Sequence, residues 1–507
     1  MKKIICLLFM LALISQSNAQ LRFDSSKGTL GSLEMPNGEK VSFTAYEKLY
    51  YVTNVEDSTY QYLNVYIPQG ATQQSPIFLR TYVGGYMSSP ASSPRASDAT
   101  GRALKEGFVV VIPGTRGRNA TIVADKAYQK AHKGVTRGET IYTGKAPAAI
   151  LDLKAAIRYL RFFDKEMLGD AEHIITDGTS AGGAMSSLMG ATGNNPAYES
   201  LLKAMGAADT KDNVFAAVCY CPIIDLENAD MAYEWLFNGT DSRQKGDANI
   251  LTISNELKAL YPGYLNSLNL KTPEGKPLTD INYLDYIKSE LIRSAQIAKN
   301  AGATIPDSLG FVFNQESGFG APPINGIKPD GAKIKVMNIP NSRMPQTPRG
   351  GGRQGEYIIN LDMQKYLNYV VSTQPLKTAP AFDTQGVEGQ RASGENDEFG
   401  NQKEKEVNYT AFSASKTGAI LSAELLKNVY LMNPMNFIED PQTDVAPHWY
   451  IRHGARDRDT AFPVPINLAL KLQNTGKDVN FLLAWNRPHS GDYALDELFE
   501  WIKKILQ

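Results

Sequence analysis

The sequence predicts an α/β protein in which helices flank a mostly parallel sheet and a large, mainly helical insertion interrupts it. Short apolar segments alternate with amphipathic helical segments over residues 20–223, and the same alternation returns over residues 430–507. Strand and helix in alternation are typical of parallel βαβ units. Between these parts, over residues 224–429, helical patterns dominate. We therefore predict a two-part core and a lid subdomain.

Length and charge limit the kinds of partner. With 507 residues the chain exceeds one simple core, which favours a large domain with a second one inserted. Apolar residues make up 42%, and 52 basic side chains face 53 acidic ones without any basic block. A near-neutral chain lacks the electrostatic footprint of a nucleic-acid partner. We expect a small-molecule substrate, and the sequence leaves the oligomeric state open.

Residues 1–19 are predicted to be a cleavable signal peptide. Two lysines precede an apolar run over residues 4–14, and a small-residue site ends at Ala19, so that Gln20 would begin the mature chain. Cys6 lies too early in the apolar run for lipid modification at the cleavage point. No later segment reaches about 18 apolar residues, so no membrane span is expected. The predicted location is the periplasm or the medium.

Two cysteines remain in the mature chain, Cys219 and Cys221, on one apolar segment. Side chains two apart on a strand share a face but are badly placed to bridge, which favours buried free thiols. Two cysteines also exclude a disulfide framework and a cysteine-based zinc site. We expect neither a metal nor an organic cofactor.

The mature chain begins with antiparallel strands and continues as a parallel sheet. Residues 59–67 alternate apolar and polar, and a Pro-Asn-Gly turn occupies residues 36–38. The elements predicted next are strands at 77–83 and 108–112 with a helix at 97–106 between them, a helix at 146–163, a strand running from 173 to a serine-bearing turn, a helix from 184, and a strand at 214–221.

The predicted lid should cover the sheet edge at which ligands bind. Its clearest helices are at 228–237 and 281–298. An insertion after a strand of an α/β sheet lies over the carboxyl ends of the strands, where ligand sites are found. Residues 347–355, rich in glycine and arginine, are predicted to form a loop whose arginines either contact an anionic ligand or are solvated.

The last part of the chain completes the sheet. A strand is predicted at 449–453, followed by a helix to about residue 472, a strand at 479–484 and a final helix. In that helix Leu498, Ile502 and Ile505 share one face, as expected of a helix packed against a sheet.

A possible nucleophile stands at the end of the strand that begins at 173. Gly178-Thr179-Ser180-Ala181-Gly182 has the pattern Gly-x-Ser-x-Gly, which lifts a serine out of the sheet at a sharp strand-to-helix turn. The pattern also arises by chance, so other residues must support it. A serine hydroxyl needs a base, an acid that orients the base, and N–H donors for the oxyanion.

The base and acid follow from position. Of the five histidines, His489 alone follows a strand-end acid, in the Ser, acid, His order that α/β-hydrolases use. Asp457, three residues beyond Gly454, is predicted to be the acid, with Asp459 as the alternative. Asp492 is expected at the surface or as a helix cap.

The oxyanion donors are predicted to be two backbone amides. One is the amide of Ala181, which follows the nucleophile. The other is the amide of Gly85, or alternatively of Gly84, in the loop after the first parallel strand. A pair of glycines can also be no more than a turn.

Several strings together resemble bacterial (subtype B) tannase and its feruloyl-esterase relatives among the α/β-hydrolases. They are 83–86 (Val-Gly-Gly-Tyr), 113–118 (Pro-Gly-Thr-Arg-Gly-Arg), 145–154, 178–183, 229–235, 453–460 and 488–493. These strings span nearly the whole mature chain, so the resemblance is far more specific than the serine motif alone.

The resemblance implies a galloyl esterase with Ser180, Asp457 and His489 as its triad. Strings at 377–383 and 395–400 match lid motifs of the family, which implies that Lys377, Glu395 and Asp459 bind the hydroxyls of the phenol ring. Carboxylates accept hydrogen bonds from hydroxyls but not from methoxy groups, so this set would suit gallate. Solvated lid side chains are the alternative for Lys377 and Glu395.

The chain departs from the family pattern in two places. The interval between Lys377 and Glu395 is longer than usual, and the stretch at 347–355 has the character of an insertion. We therefore predict an exported serine esterase of galloyl esters of plant phenolics. The alternatives are a feruloyl esterase or general carboxylesterase with the same triad and, more remotely, a non-catalytic binding protein. A peptidase is less favoured, because the sequence shows no N-terminal region of the size of a propeller domain.

Overall fold

The computed structural model describes residues 20–314 and 357–507. The predicted signal peptide and the loop at 347–355 lie outside these residues. The strands are β1 Thr29–Glu34, β2 Lys40–Tyr50, β3 Tyr62–Pro68, β4 Pro76–Arg80, β5 Val109–Pro113, β6 Thr121–Val123, β7 Thr140–Tyr142, β8 Asp170–Thr179, β9 Ala216–Tyr220, β10 Phe311–Asn314, β11 Tyr357–Leu361, β12 His448–Gly454 and β13 Asp478–Ala484.

In the described part of the chain, nine strands form one sheet in the order β1-β2-β3-β5-β4-β8-β9-β12-β13. The pairs from β5 to β13 are parallel, and β1, β2 and β3 extend the sheet in antiparallel pairing. The predicted antiparallel start and parallel core are thus confirmed. Two further pairs, β6 with β7 and β10 with β11, form short two-stranded antiparallel sheets apart from this one.

The helices are α1 Ala99–Lys105, α2 Lys126–Ala131, α3 Ala148–Phe162, α4 Ala181–Ala191, α5 Glu199–Met205, α6 Leu226–Phe237, α7 Asp241–Gln244, α8 Ala248–Ser267, α9 Tyr283–Asn300, α10 Met363–Thr373, α11 Gly394–Glu398, α12 Ala411–Thr417, α13 Ala423–Leu431, α14 Pro463–Asn474 and α15 Leu495–Ile505. The helices that were predicted, α1, α3, α4, α6, α9, α14 and α15, begin and end close to the predicted positions, and the other helices were not predicted. Side chains at the N-cap start several of them: Asp98 accepts from the Thr100 amide at α1, and Ser393 forms a capping box with Asn396 at α11.

Helices cover both faces of the sheet because successive strand residues point to opposite sides. Leu79 and Ile174 belong to an apolar cluster with α3, α4 and α14, whereas Phe78 and Ile175 belong to a second cluster with α1 and α15. This is the predicted α/β-hydrolase architecture. Cys219 and Cys221 are buried and free, as predicted.

The insertion between β9 and β12 carries α6 to α13 and the two-stranded sheet of β10 and β11. The sequence patterns did not predict this small sheet. The first apolar cluster runs without a break from the sheet into α6, α8, α9 and α10. The insertion therefore packs on the sheet domain: Ser294 in α9 donates to the Leu483 carbonyl in β13, and Tyr366 in α10 donates to the Ala455 carbonyl just beyond β12. The limits proposed for the lid, 224 and 429, stay a prediction, and the second falls inside α13. Searching the described ranges for a helix that could cross a bilayer finds none.

Candidate active site

Ser180 stands in a strained turn between β8 and α4. Its backbone has φ 62° and ψ −123°, a conformation that a residue with a side chain adopts only when the surroundings force it. The flanking glycines make the turn possible. A Cβ on Gly178 would lie 2.2 Å from the Gly182 carbonyl oxygen, and one on Gly183 would lie 2.5 Å from the Tyr220 carbonyl oxygen. The turn therefore lifts Ser180 above the carboxyl end of β8.

The surroundings of Ser180 leave its hydroxyl free. The Ser180 amide donates to the Tyr220 carbonyl at 2.9 Å, which fixes the turn against β9. The residue is half-buried, and its hydroxyl donates to no protein group in the described ranges. Contact between this hydroxyl and Nε2 of His489 thus stays a prediction.

Asp457 and His489 meet beyond the ends of β12 and β13. Nδ1 of His489 lies 2.7 Å from Oδ2 of Asp457, and the Asp459 amide donates to Oδ1 of Asp457 at 2.8 Å. Asp457 is 1% exposed. Both oxygens of the buried carboxylate are thus hydrogen-bonded, and one of them orients the imidazole.

The electrostatics suit a base and its orienting acid. Burial alone would lower the pKa of His489, but the hydrogen bond and charge of Asp457 outweigh it and raise that pKa above its ordinary value. Burial would raise the pKa of Asp457, yet the rings of His453 and His489 and the Asp459 amide hold it below its ordinary value. Asp457 is therefore ionised at neutral pH, and imidazolium at His489 is stabilised.

Two residues beside Asp457, His453 and Cys221, were given no role at the site from the sequence. His453 is fully buried with Nδ1 3.6 Å from Oδ2 of Asp457, and neither of its ring nitrogens has a hydrogen-bond partner among the described residues. Burial lowers its pKa to about 4, so the ring is neutral. The Cys221 thiol donates to the Ser490 carbonyl at 3.3 Å. Both are strand-end residues beside the acid, a placement that only the sheet order shows.

The loop that carries His489 is held against the nucleophile strand. A Cβ on Gly491 would lie 1.9 Å from Oγ1 of Thr179, the residue before Ser180. Arg80, at the end of β4, donates to both oxygens of Asp492 at 2.9 and 2.8 Å. Asp492 was expected at the surface or as a helix cap: its side chain stays 22% exposed, but it caps no described helix and instead forms an ion pair that ties the last loop to the first parallel strand.

Arg80 also pairs with Asp177 inside the sheet. Both side chains are buried, and burial raises the pKa of Asp177 to about 7 although Arg80 opposes this shift. The charges of Asp177 and Asp492, against the effect of burial, raise the pKa of Arg80. One buried guanidinium thus joins β4, β8 and the His489 loop, and it places the loop next to the Ser180 turn.

The contact at Gly491 gives a first prediction. Gly491→Ala should lower kcat about 100-fold, because the new methyl group must push the loop off Thr179, and a displacement of about 1 Å in a catalytic group costs that much. Steady-state kinetics on an aromatic ester would measure it. Gly263→Ala, in α8 where a Cβ meets open space, is the control and should leave kcat unchanged. Equal rates for both variants would show that the loop tolerates displacement.

The loop after β4 forms a tight turn over the start of α4. The Met87 amide donates to the Gly84 carbonyl at 3.0 Å, and Gly85 and Tyr86 both have positive φ, 54° and 56°. This is the pattern of a type I′ turn, for which glycine is favoured. The Tyr86 hydroxyl donates to the carbonyl of Ile223 at 2.6 Å. We call residues 84–87 the oxyanion turn.

The amides predicted as oxyanion donors are both available. A Cβ on Gly182 would lie 2.9 Å from the Val83 carbonyl oxygen, so Val83 lies against the first turn of α4. The oxyanion turn begins at the next residue. The amides of Gly85 and Ala181 donate to no protein group in the part of the chain that is described. Two unpaired N–H groups beside the Ser180 turn can donate hydrogen bonds to an oxygen on which negative charge develops.

Of the three side chains predicted to bind the ring, two lie near His489 and the third lies near Tyr86. The charges of Asp459 and Lys377 both act on His489, the first raising its pKa and the second lowering it. Oδ1 of Asp459 accepts from Arg458 at 2.8 Å, and Nζ of Lys377 lies 3.9 Å above the Phe382 ring. Glu395 is half-buried near Tyr86, and its carboxylate accepts no hydrogen bond within the described ranges.

Buried carboxylates hold the lid segments that carry Lys377 and Glu395. Asp230 in α6 accepts from the amides of residues 381–383 at 2.7 to 3.1 Å. Asp383 in turn accepts from the side chain of Asn396 at 2.6 Å, next to Glu395 in α11. Asp230 lies in one of the strings that resemble the family but had no predicted role, because its supporting role depends on this tertiary contact.

Among the described residues, the groups that could hold a metal ion overlap the candidate active site, whereas a cleft beside β13 does not. Within the described ranges, two groups have ligand atoms within 4.8 Å of one another, Cys221 with His453 and Asp457, and Asp457 with Asp459 and His489. Both share the carboxylate that already pairs with His489. A cleft of about 500 Å³ beside β13, lined by Tyr286, Arg293, Phe481 and others, contains none of the candidate residues. The absence of a metal or cofactor requirement stays a prediction.

Comparison with known proteins supports one family. A family model described as BD-FAE, a feruloyl-esterase-like domain, matches residues 139–260. Curated protein sequences give no match. Tannase from Fusobacterium nucleatum is 33% identical, with 96% of this chain and 100% of that chain aligned at a TM-score of 0.78. Tannin acyl hydrolase from Lactobacillus plantarum is also 33% identical, with 96% and 98% aligned at a TM-score of 0.78.

These similarities extend over nearly the whole chain, so they include the sheet, the insertion and the loop that carries His489. A further structure, of a tannin acyl hydrolase in complex with ethyl gallate, is 34% identical, aligns with 96% of this chain and 98% of its own, and gives a TM-score of 0.77. Identity above 30% at this coverage, together with the shared fold, identifies the family. The chain belongs to the tannase family of α/β-hydrolases.

Proposed function

We propose that the chain is an exported serine esterase that hydrolyses galloyl esters of plant phenolics through an acyl-enzyme. Membership of the tannase family supports a carboxylic ester hydrolase of aromatic esters. The observation that carries the mechanism is the 2.7 Å hydrogen bond between His489 and Asp457, on a loop packed against Thr179 beside Ser180. A base oriented by a buried acid, next to a serine in a strained turn, is the arrangement that nucleophilic catalysis by serine requires.

In the proposed reaction the Ser180 hydroxyl attacks the ester carbonyl while His489 takes its proton on Nε2. Asp457 stays ionised and stabilises the imidazolium that forms. The amides of Gly85 and Ala181 donate to the carbonyl oxygen as it becomes negative. When the tetrahedral intermediate collapses, His489 gives the proton to the leaving alcohol, and the acyl group stays on Ser180.

Hydrolysis of the acyl-enzyme repeats these steps with water. His489 takes a proton from the water as its oxygen attacks the acyl carbonyl, and then returns a proton to Ser180. The products are the aromatic acid and the free serine. No step in this scheme uses a metal or an organic cofactor.

Recognition of the acid is assigned to Lys377, Glu395 and Asp459. Two carboxylates and one ammonium complement a ring with adjacent hydroxyls, since carboxylates accept from hydroxyls and the ammonium stabilises a phenolate-like oxygen. The lone pairs of Glu395 and the ammonium of Lys377 are free of protein hydrogen bonds in the described ranges. They can therefore bind a ligand without first losing a protein partner.

A methoxylated substrate tests this assignment. Methyl gallate should be hydrolysed with a kcat/KM at least about 100-fold above that of its trimethoxy analogue, because each buried acceptor left unpaired costs about 1–3 kcal/mol. A panel of gallate, ferulate and acetate esters would measure the difference. Glu395→Gln should reduce the preference and leave hydrolysis of 4-nitrophenyl acetate, which has no ring hydroxyl, unchanged.

A feruloyl esterase with the same catalytic residues is the second candidate, favoured by the BD-FAE match over residues 139–260. Equal kcat/KM values for esters of hydroxylated and methoxylated acids, or faster hydrolysis of ferulate esters, would support a feruloyl esterase instead. Export rests on the N-terminal sequence pattern. Mass spectrometry of the protein recovered from the periplasm or medium should find Gln20 as its first residue.

A further inference from the structure

Arg118 lies between the oxyanion turn and the lid helix that carries Glu395. We propose that Arg118 is a positioning residue that fixes the Gly85 amide and connects it to the ring-binding part of the lid. This inference rests on the proposed function, because it concerns the same oxyanion donor. Arg118 comes from the Pro-Gly-Thr-Arg-Gly-Arg string that follows β5, which no step of the mechanism uses.

At the oxyanion turn, Arg118 contacts two successive carbonyls. Its Nε donates to the Gly85 carbonyl at 2.8 Å, and its backbone amide donates to the Tyr86 carbonyl at 2.9 Å. The Gly84 carbonyl is already held by the Met87 amide. In a trans peptide the N–H points opposite to the carbonyl of the same peptide, so the fixed Gly84 carbonyl determines the direction of the Gly85 N–H.

The contacts matter because the turn has little stiffness of its own. Gly85 lacks a side chain and can leave its positive φ at little cost, and Tyr86 is held in a conformation that non-glycine residues avoid. When the Arg118 side chain is removed, the Gly85 carbonyl loses its donor, while the backbone amide of residue 118 still holds the Tyr86 carbonyl. The Gly85–Tyr86 peptide can then rotate and change the φ of Gly85, so that the Gly85 amide is held through the Gly84 carbonyl alone.

At its other end, Arg118 is tied to α11. Its Nη1 donates to Oδ2 of Asp397 at 2.7 Å, and a Cβ on Gly394 would lie 3.3 Å from its guanidinium carbon. Lys145 reinforces this contact: Nζ binds the Asp397 carboxylate and donates to the carbonyls of Asp397 and Arg118 at 2.7 and 3.0 Å. Arg118, Lys145 and Asp397 form what we call the Arg118 bridge.

The Arg118 bridge places two functions on one support. Glu395, assigned to a ring hydroxyl, lies two residues before Asp397 in the same short helix. A shift of α11 when the ring binds would therefore act on the oxyanion turn through Arg118. The consequence is a coupling between recognition of the acid and stabilisation of the transition state.

Substitution of Arg118 tests the proposal. Arg118→Ala should lower kcat for methyl gallate about 10- to 100-fold, somewhat less than removal of an oxyanion donor, and change KM less than threefold. Arg118→Lys keeps the charge but cannot reach Gly85 and Asp397 together, so it should lose at least tenfold in kcat. It gives the same comparison if the alanine variant does not fold. Arg102→Ala is the matched control, since Arg102 on α1 makes two side-chain contacts, with the carboxylates of Glu106 and Asp496, at a similar exposure, 28% against 24% for Arg118.

Coupling is measured by combining Arg118→Lys with Glu395→Gln. On methyl gallate the two losses in kcat/KM should be clearly non-additive, whereas on 4-nitrophenyl acetate, which has no ring hydroxyl to bind, the losses should be additive. A wild-type enzyme that cleaves gallate together with Arg118 variants as active as Arg102→Ala would overturn the bridge. A wild-type protein inactive on every aromatic ester would overturn the proposed function itself.

Discussion

Ser180→Ala should lower kcat on aromatic esters by on the order of 10⁶ while the protein keeps its fold and melting temperature. The turn at Ser180 is maintained by its amide and by the flanking glycines rather than by its hydroxyl, so alanine leaves the backbone contacts intact. Loss of the attacking oxygen removes the acyl-enzyme route altogether. Steady-state kinetics would measure the loss, with the background rate of inactivated wild-type enzyme as the limit of detection.

Covalent labelling provides an independent readout. An organophosphonate directed at serine should add one label to the wild-type protein, on the peptide that contains Ser180, and none to Ser180→Ala. Ser289→Ala, whose hydroxyl donates to the Tyr286 carbonyl on the exposed side of α9, is the control and should be labelled and active. A wild-type protein that stays unlabelled would instead indicate a binding protein with a hydrolase fold.

Asp457→Asn should lower kcat about 10⁴-fold. The asparagine amide would donate to Nδ1 of His489 in place of the carboxylate that accepts from it, which leaves the proton on Nε2 and removes the lone pair needed to accept the Ser180 proton. Asp478→Asn is a matched control, because Asp478 pairs with Nδ1 of His448 at 2.9 Å at the other end of the same strands. Asp478→Asn should retain wild-type kcat.

The same substitution has a signature in pH. Because Asp457 raises the pKa of His489 above the ordinary imidazole value of 6.5, wild-type kcat/KM should fall as the pH drops through that raised value and His489 becomes protonated. With the negative charge removed, burial prevails and the pKa of His489 falls. The acid limb of the residual activity in Asp457→Asn should therefore move to lower pH, and an unmoved limb would point to another ionising group.

The sheet could be predicted from the sequence because its signals are local. Apolar runs at 77–83 and 214–221 and the helical face at 146–163 each reflect burial on the sheet, and the structure has β4, β9 and α3 at these positions. The sheet of β10 and β11 was missed because β10 has only four residues and its partner strand lies more than forty positions further along the chain.

Candidate site residues could be selected where chain order carries information, but residues that depend on long-range contacts could not. Asp457 and His489 could be selected by their order after Ser180, and the structure joins them by a hydrogen bond, while their roles stay predictions. The partner of Asp492 could not be found, because Arg80 lies 412 positions away and no pattern links the two. His453 and Arg118 likewise acquire their surroundings only from neighbouring strands and the lid.

The unbroken packing between the sheet and its insertion affects how the protein could be re-engineered. Tyr283 in α9 bonds Asn467 in α14, and the Tyr366 hydroxyl donates to the Ala455 carbonyl at 2.7 Å, so the two parts share polar anchors as well as apolar side chains. Swinging the insertion away as a rigid flap would expose that shared interior to water. Removing the insertion, or transferring it to another esterase, should yield an insoluble product unless the residues of α14 that face the insertion are transferred with it.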